Sequence, residues 1–252
     1  MARYENSSAN AFVCDFDGTL APIINDPTQS KIPQHIVESL LLLTQKIEIV
    51  AVISGRELEF LNQAFVPHIG RHGEMPIKIF GLYGSQTNDD NFAGLHRTSG
   101  MTAELKKAIL QCSTSLPEKI YIEVKDNGVV FHYRNSPDLE TEVLAMAEEV
   151  TNTFPVRALQ GKKVIELVPA DQIDKGDVID YIGNYADAIC YIGDDYGDIA
   201  AFESVNKRAR SGLSIGVFSE EMPIELYQKC QFILESTQAV HQLTQELLFA
   251  LS

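Results

Sequence analysis

The sequence predicts an α/β fold in which a parallel sheet covered by helices is interrupted by an α+β insert. Runs such as EIVAVIS (48–54) are apolar at every position, as in parallel strands that are buried on both faces. Such runs alternate with amphipathic helical patterns in the first and last thirds of the chain. Between residues 86 and 170 the pattern changes to helices followed by hairpins, which is typical of an antiparallel sheet.

The first core segment, residues 1–85, contains three predicted strands and two predicted helices. Strands are expected at 12–16, 48–54 and 77–84, and helices at 36–45 and 56–65. A polar stretch rich in Gly, Asn and Ser follows at 85–101 and predicts a linker.

The insert, residues 86–170, reads as helix, hairpin, helix, hairpin. The helices are expected at 102–115 and 138–154, and the hairpins at 119–134 and 156–169. The first hairpin turns at Asp126–Asn127 and the second is expected to turn around Gln160–Gly161. This order predicts a compact antiparallel sheet with helices on one face.

The core resumes over residues 171–252 with the same alternation as in the first segment. Helices are predicted at 174–186, 199–205 and 236–251, and strands at 188–195, 213–218 and 231–234. Ser236 is the expected N-cap of the last helix.

Composition excludes several classes of function. The net charge of −15 argues against nucleic-acid binding, since no block rich in Lys or Arg is present to neutralise phosphates. No apolar run approaches the ~20 residues needed to span a bilayer, and the N-terminus lacks the pattern of a secretory signal. The four cysteines lie far apart, as expected for reduced thiols. We therefore expect a cytoplasmic protein with no nucleic-acid or membrane partner, and no obligate protein partner is evident.

Two carboxylates end the first predicted strand, in AFVCDFDGTL (11–20). Alternate residues of a strand point the same way, so Asp15 and Asp17 start out facing one site. At ~4 Å their repulsion costs about 4 kcal/mol for an effective dielectric near 20. A metal ion, a shared proton or solvent exposure could offset this repulsion.

Further polar groups follow other core strands. They are Ser54–Gly55–Arg56, Lys175, and Asp194, Asp195 and Asp198. Open parallel sheets bind ligands at the carboxyl ends of their strands, and a set of aspartates suits Mg²⁺ better than Zn²⁺. A carboxylate beside such a cation can attack phosphorus, and a second carboxyl can exchange the proton of the leaving oxygen.

Taken in order, DFDGTL, ISGR, the Lys of DKGD and GDDYGD resemble the four motifs of haloacid dehalogenase (HAD) phosphatases. The resemblance implies a Rossmann-like core and a Mg²⁺ cofactor. It implies that Asp15 is the nucleophile and Asp17 the acid/base, and that Ser54, Gly55 and Lys175 bind phosphate. The implied metal site consists of Asp15, Asp17 through its main-chain carbonyl, Asp194 and Asp198 in support.

The insert lies where this superfamily carries a cap domain that recognises the substrate. Its hairpins, IEVKDNGVVFHYR and GKKVIELVP, resemble the cap of trehalose-6-phosphate phosphatases. The resemblance implies that Glu123, Lys125, Arg134 and Glu166 bind sugar hydroxyls and orient the phosphate. Carboxylates accept hydrogen bonds from hydroxyls whereas Lys and Arg donate them. Ordinary cross-strand ion pairs are the alternative for these four residues. Arg56 is a further substrate-binding candidate that could instead pair with an acid.

Two segments depart from the family pattern. GLYGSQ (81–86) stands where the family often has Gly-x-His-Gly-x-Glu, which leaves the roles of Tyr83 and Gln86 open. In GDDYGDIAAF the metal positions are kept, but Ile199 replaces a neighbouring acid, and the role of Asp195 is open.

We interpret the chain as a Mg²⁺-dependent phosphatase that hydrolyses trehalose 6-phosphate through an aspartyl-phosphate. The alternatives are a phosphatase for another sugar phosphate, such as a glycosylglycerate phosphate or sucrose phosphate, a phosphomutase, or a non-catalytic sugar-phosphate sensor.

Overall fold

The computed structural model describes residues 9–24, 29–65, 75–93, 100–208 and 211–252. The strands are β1 (Asn10–Cys14), β2 (Ile49–Ile53), β3 (Lys78–Gly81), β4 (Gln86–Thr87), β5 (Tyr121–Lys125), β6 (Gly128–His132), β7 (Val156–Gly161), β8 (Val164–Pro169), β9 (Ala188–Gly193), β10 (Gly212–Val217) and β11 (Phe232–Leu234). The α-helices are α1 (Gln34–Leu43), α2 (Leu58–Phe65), α3 (Asp90–Ala93), α4 (Ala103–Cys112), α5 (Glu140–Thr153), α6 (Lys175–Ile182), α7 (Ile199–Asn206), α8 (Ile224–Lys229) and α9 (Thr237–Ala250).

The chain divides into two compact units. The first comprises Met1–His96 and Ile173–Ser252, and the second Arg97–Gln172. The predicted boundary at residue 86 falls before the observed change of unit. The first unit extends beyond residue 86 because β4 pairs with β3 in its sheet. Among the described residues, no helix has both the length and the apolar character that crossing a membrane requires.

The first unit is built on a seven-stranded sheet in the order β11-β10-β9-β1-β2-β3-β4. All neighbouring strands are parallel except β3 and β4. Alternate residues of the central strands serve two cores: Phe12 and Val50 pack with α1, α2 and α9, whereas Val13 and Ala51 pack with α6, α7 and α8. Burial on both faces explains why these strands are apolar at successive positions.

The second unit is a four-stranded antiparallel sheet in the order β5-β6-β8-β7. Its core lies on one face, where Phe131 and Leu167 pack with Ile109 of α4 and Val143 of α5. The opposite face carries the alternate residues of the same strands. The predicted fold class, a parallel α/β core with an α+β insert, is confirmed.

The structure differs from the predicted elements at several places. The second hairpin turns at Lys162–Lys163 rather than at Gln160–Gly161, because Gly161 still pairs with Val164 in the ladder. The third predicted strand ends at Gly81, and a 3₁₀-helix with left-handed φ values at Leu82 (45°) and Tyr83 (59°) follows it. Helix α8 and the short elements α3 and β4 were not predicted.

Candidate active site

The polar residues that follow the central strands cluster at one edge of the sheet of the first unit. Asp15 directly follows β1, and its main-chain N–H extends the ladder to Ile192 of β9 at 2.8 Å. Lys175, the first residue of α6, lies between two carboxylates: its Nζ is 2.7 Å from Asp15 Oδ1 and 2.6 Å from Asp198 Oδ1. All three side chains are buried. The strand order therefore assembles groups that are up to 183 positions apart in the sequence.

Asp198 is a densely hydrogen-bonded carboxylate of the cluster. Besides Lys175, it accepts hydrogen bonds from the Tyr191 hydroxyl at 2.5 Å and from the main-chain N–H groups of Asp194 at 2.7 Å and Asp195 at 3.0 Å. These bonds join the loop after β9 to the 3₁₀-helix Tyr196–Asp198 that follows it. Asp198 is thus held in one orientation by four donors.

Burial and the neighbouring charges shift the pKa values of Asp15, Asp198 and Lys175 in different directions. Burial raises the pKa of Asp15 well above the usual carboxyl range, and the neighbouring carboxylates raise it further, although Lys175 opposes them. Burial also favours the neutral form of Asp198, but the Lys175 ammonium and the hydrogen bonds outweigh burial and lower its pKa. Burial opposes the charge of Lys175, yet Asp15 and Asp198 raise its pKa well above the usual value. The site therefore holds an ammonium and a carboxyl that favours a proton.

The donor set fits a hard divalent cation. Ligand oxygens of Asp15, Asp194 and Asp198 lie within 4.8 Å of one another, and all three residues are buried. With all three carboxylates ionised and Lys175 charged, the cluster has a formal charge of −2, which one divalent ion neutralises. Oxygen-only ligands favour Mg²⁺, Ca²⁺ or Mn²⁺ over Zn²⁺.

Gly18 brings its backbone against one of these carboxylates. Its φ of +80° is in the left-handed region, and a β-carbon placed on it would clash with the Asp194 carboxylate. Its N–H donates to Ala21 O at 2.7 Å and closes the turn that follows Asp17. Both the turn and the close approach require glycine here.

The Asp17 carboxylate lies outside the group of three metal-ligand candidates. Arg56 grips it with a fork of two hydrogen bonds, from Nε to Oδ2 at 2.7 Å and from Nη2 to Oδ1 at 2.9 Å. Ser30 Oγ donates a third bond to Oδ1 at 3.0 Å. Of the two roles that the sequence leaves open for Arg56, the structure displays the pairing with an acid.

Ser54 and Gly55 form the polar end of β2. Ser54 Oγ is buried and accepts the N–H of Arg56 at 3.2 Å, which leaves its hydroxyl proton for another acceptor. A β-carbon on Gly55 would lie 2.8 Å from the Tyr83 hydroxyl oxygen, so Gly55 allows the Tyr83 ring to lie against the backbone. Gln86 Oε1 accepts the N–H of Leu58 at 2.8 Å, at the start of α2. Asp195 caps the 3₁₀-helix Tyr196–Asp198 by accepting the N–H of Gly197 at 2.9 Å.

Three of the four substrate-binding candidates of the second unit lie on its sheet, and Arg134 lies just after β6. Glu123 and Glu166 both face Val130 in the ladder and therefore share the face opposite the helices. Lys125 Nζ lies 3.3 Å from Glu166 Oε2, and His132 Nε2 lies 3.0 Å from Glu123 Oε2. Arg134 donates from Nη2 to the carbonyl of Lys162 at 2.9 Å, at the second hairpin turn.

Three residues that contact candidate site residues in one or the other unit were not singled out from the sequence. Tyr191 stands in the apolar run AICYIG, so that its hydroxyl is hidden in a pattern typical of a core strand. Ser30 follows in a polar stretch with no motif of its own. His132 is one of six scattered histidines, and its contact with Glu123 follows from the alternation of side chains along β5 and β6.

Comparison with known proteins identifies a family that the chain matches. A family model described as trehalose-phosphatase matches residues 13–229. Trehalose-6-phosphate phosphatase of Escherichia coli is 30% identical over 220 residues, which cover 84% of this chain and 79% of that protein.

Two solved structures share the fold. The C-terminal domain of Candida albicans trehalose-6-phosphate phosphatase matches with a TM-score of 0.73 and 22% identity, over 99% of this chain and 94% of that one. A haloacid dehalogenase-like hydrolase from Bacteroides thetaiotaomicron matches with a TM-score of 0.63 and 13% identity, over 95% of this chain and 99% of that one.

Proposed function

Because the chain belongs to the trehalose-phosphatase family and is a phosphoric monoester hydrolase, we propose that it hydrolyses trehalose 6-phosphate to trehalose and inorganic phosphate. The observation that carries the chemistry is the buried cluster of Asp15, Lys175, Asp194 and Asp198 at the carboxyl edge of the sheet. Nucleophile, cation and metal-ligand candidates are all present there within one unit.

In the first step, Asp15 attacks phosphorus and forms an aspartyl-phosphate while the bond between phosphorus and the sugar oxygen breaks. Asp17 gives its proton to that oxygen, so trehalose leaves as the neutral alcohol. In the second step, water attacks phosphorus and Asp17 takes its proton. The bond to Asp15 then breaks and inorganic phosphate is released.

The phosphoryl oxygens need donors throughout both steps. The Lys175 ammonium supplies a fixed positive charge, and its raised pKa keeps it charged. The Ser54 hydroxyl and the main-chain N–H of Gly55 supply neutral donors. Such fixed groups stabilise phosphoryl transfer by positioning and charge, without reorganisation during the reaction.

Mg²⁺ is the proposed cofactor. Asp15, Asp194 and the main-chain carbonyl of Asp17 would hold it, with Asp198 orienting the loop that carries Asp194. When bound, it would supply positive charge to the phosphoryl group and favour the ionised form of Asp15. A proton would then leave Asp15 on binding, because burial raises its pKa in the absence of the ion.

A panel of sugar phosphates tests the proposal. We expect release of phosphate from trehalose 6-phosphate, loss of activity with a chelator, recovery with added Mg²⁺, and no turnover in Asp15→Asn. A preference of about tenfold or more for sucrose phosphate or a glycosylglycerate phosphate would reassign the substrate. Binding without turnover would identify a sensor, and a phosphorylated sugar product would identify a phosphomutase.

A further inference from the structure

Arg56 forms a fork of two hydrogen bonds with Asp17, and the proposed reaction does not by itself explain this contact. We propose that Arg56 and Ser30 are positioning residues, which fix the carboxylate of Asp17 so that Oδ2 exchanges the proton with the leaving oxygen and with water. This inference rests on the proposed role of Asp17 as acid/base.

The available acceptor sites identify the reacting oxygen. A carboxylate offers about four lone-pair sites. Oδ1 accepts from Arg56 Nη2 and from Ser30 Oγ, whereas Oδ2 accepts only from Arg56 Nε. Among the described residues, the remaining site is therefore on Oδ2. The Asp17 side chain is 33% exposed, so solvent reaches part of it.

The guanidinium is itself well anchored. Its Cζ lies over the Phe60 ring, 4.6 Å from the centroid, and this cation–π contact leaves the donor edge of the guanidinium to bind a carboxylate. The main chain of Arg56 is fixed at both ends, since its N–H donates to Ser54 Oγ at 3.2 Å and its carbonyl accepts from Leu82 N at 2.8 Å. The Arg56 side chain is only 23% exposed.

This anchoring couples two parts of the reaction. Ser54 and Gly55 are the proposed phosphoryl donors, and Arg56 follows them directly in the chain. The same short segment therefore sets the position of the phosphoryl group and the orientation of the acid/base. A proton-transfer group must lie within hydrogen-bond reach of the atom that it protonates or deprotonates. Because one segment holds both groups, the distance between the acid/base and the phosphoryl group varies little.

The competing role for Arg56 is direct contact with the substrate. The two roles predict different behaviour, because a substrate contact acts whether or not Asp17 is functional. A positioning residue acts only through Asp17, so its removal has no effect once Asp17 is disabled. A double-mutant cycle separates the two roles.

The experiment measures kcat and KM for trehalose 6-phosphate and for p-nitrophenyl phosphate. The variants are Arg56→Gln, Arg56→Lys and Ser30→Ala, each with and without Asp17→Asn. We expect Arg56→Gln to lower kcat about tenfold to hundredfold, part of the roughly 10²- to 10⁴-fold effect of general acid–base catalysis, with KM changed by less than about threefold. Arg56→Lys is expected to rescue little, because an ammonium cannot form the fork. Ser30→Ala should lower kcat less, and none of the three should act in the Asp17→Asn background.

A second readout follows the covalent intermediate with p-nitrophenyl phosphate, whose leaving group departs without a proton. If Asp17 is misplaced, water is activated slowly, so intact-mass spectra of Arg56→Gln should show more phosphorylated enzyme than wild type. Lys229→Gln, which removes an exposed ion pair with Glu203 at 2.6 Å, is the control and should leave all values unchanged. Thermal unfolding identifies any variant that fails to fold. If the Arg56 variants do not fold, the same measurements on Ser30→Ala test the inference.

Losses in kcat that multiply with that of Asp17→Asn, or a rise in KM alone, would overturn the inference in favour of a substrate contact. Failure of the proposed substrate has a different signature. In that case trehalose 6-phosphate is not hydrolysed, whereas the cycle on p-nitrophenyl phosphate still reports on Arg56.

Discussion

At Gly18 the conformation of one residue controls the position of a proposed metal ligand. Its φ is +80°, and the space for a β-carbon is taken by the carboxylate of Asp194. Alanine at this position would pay about 1–2 kcal/mol for the left-handed backbone and would also push Asp194 aside. Gly100 has a similar φ of +74°, but the nearest atom to a β-carbon there, Asn127 Oδ1, is 3.9 Å away.

This pair of glycines gives a matched prediction. We expect Gly18→Ala and Gly100→Ala both to lower the free energy of unfolding by about 1–2 kcal/mol from backbone strain. Only Gly18→Ala should weaken Mg²⁺ binding and lower kcat, by about a hundredfold if Asp194 moves by 1 Å. Denaturant unfolding, Mg²⁺ titration and steady-state kinetics measure the three quantities. Wild-type activity in Gly18→Ala would show that Asp194 does not hold the ion.

At the scale of single residues, the sequence predicted which groups cluster but not how they pair. Asp15, Lys175, Asp194 and Asp198 each follow a core strand or begin a helix, and a parallel sheet brings such positions to one edge. The fork from Arg56 to Asp17 depends on side-chain torsion angles, which no spacing rule gives. Tyr191 stayed hidden because its ring belongs to the core while its hydroxyl belongs to the site.

At the scale of elements, the start of α6 links a capping motif to the site. Asp174 accepts the N–H groups of Gly176 at 2.8 Å and Asp177 at 3.1 Å, and the Asp177 side chain accepts the N–H of Asp174 at 2.9 Å. This capping box fixes the first turn of the helix, whose first residue is Lys175. At the other end of the chain, Ser236 caps α9 through the N–H of Ala239.

Loss of either cap should cost similar stability but should affect activity differently. We expect Asp174→Ala and Ser236→Ala each to lower the free energy of unfolding by about 1 kcal/mol. Asp174→Ala should also lower kcat about fivefold to fiftyfold, because Lys175 loses its fixed position, whereas Ser236→Ala should not. Chemical denaturation and kinetics on the same samples make the comparison. Equal kcat values would show that Asp15 and Asp198 alone hold Lys175 in place.

The sequence missed two short helices and misplaced one turn, for different physical reasons. Helix α8 has six residues and α3 four, too short for the hydrophobic periodicity that identifies a helix. The second hairpin turn was misplaced because Gly161 resembles a turn residue, whereas Lys163 adopts the left-handed φ of 59°. Its Nζ lies 3.2 Å from Glu140 Oε2, a tertiary contact that no local pattern reveals.

At the scale of the whole molecule, the two units differ in the chemistry that they offer. The first unit holds the buried carboxylates and the ammonium. The second unit has a sheet face with Glu123, Lys125 and Glu166. We propose that the first unit carries out phosphoryl transfer and that the second unit selects the alcohol by binding the hydroxyl groups of the sugar. A pair of opposite charges on a sheet also stabilises the fold on its own, so stability and selectivity must be measured separately.

Replacement of Lys125 separates these two effects. We expect Lys125→Met to raise KM for trehalose 6-phosphate about tenfold, equal to 1.4 kcal/mol, because one charged donor to the sugar is lost. Turnover of p-nitrophenyl phosphate, which carries no sugar, should stay within about twofold of wild type. Lys107→Met, at an exposed position on α4 of the same unit, is the matched control and should change neither substrate. If Lys125→Met lowers the thermal midpoint but leaves KM unchanged, the contact with Glu166 at 3.3 Å is a structural ion pair and the sugar is recognised elsewhere.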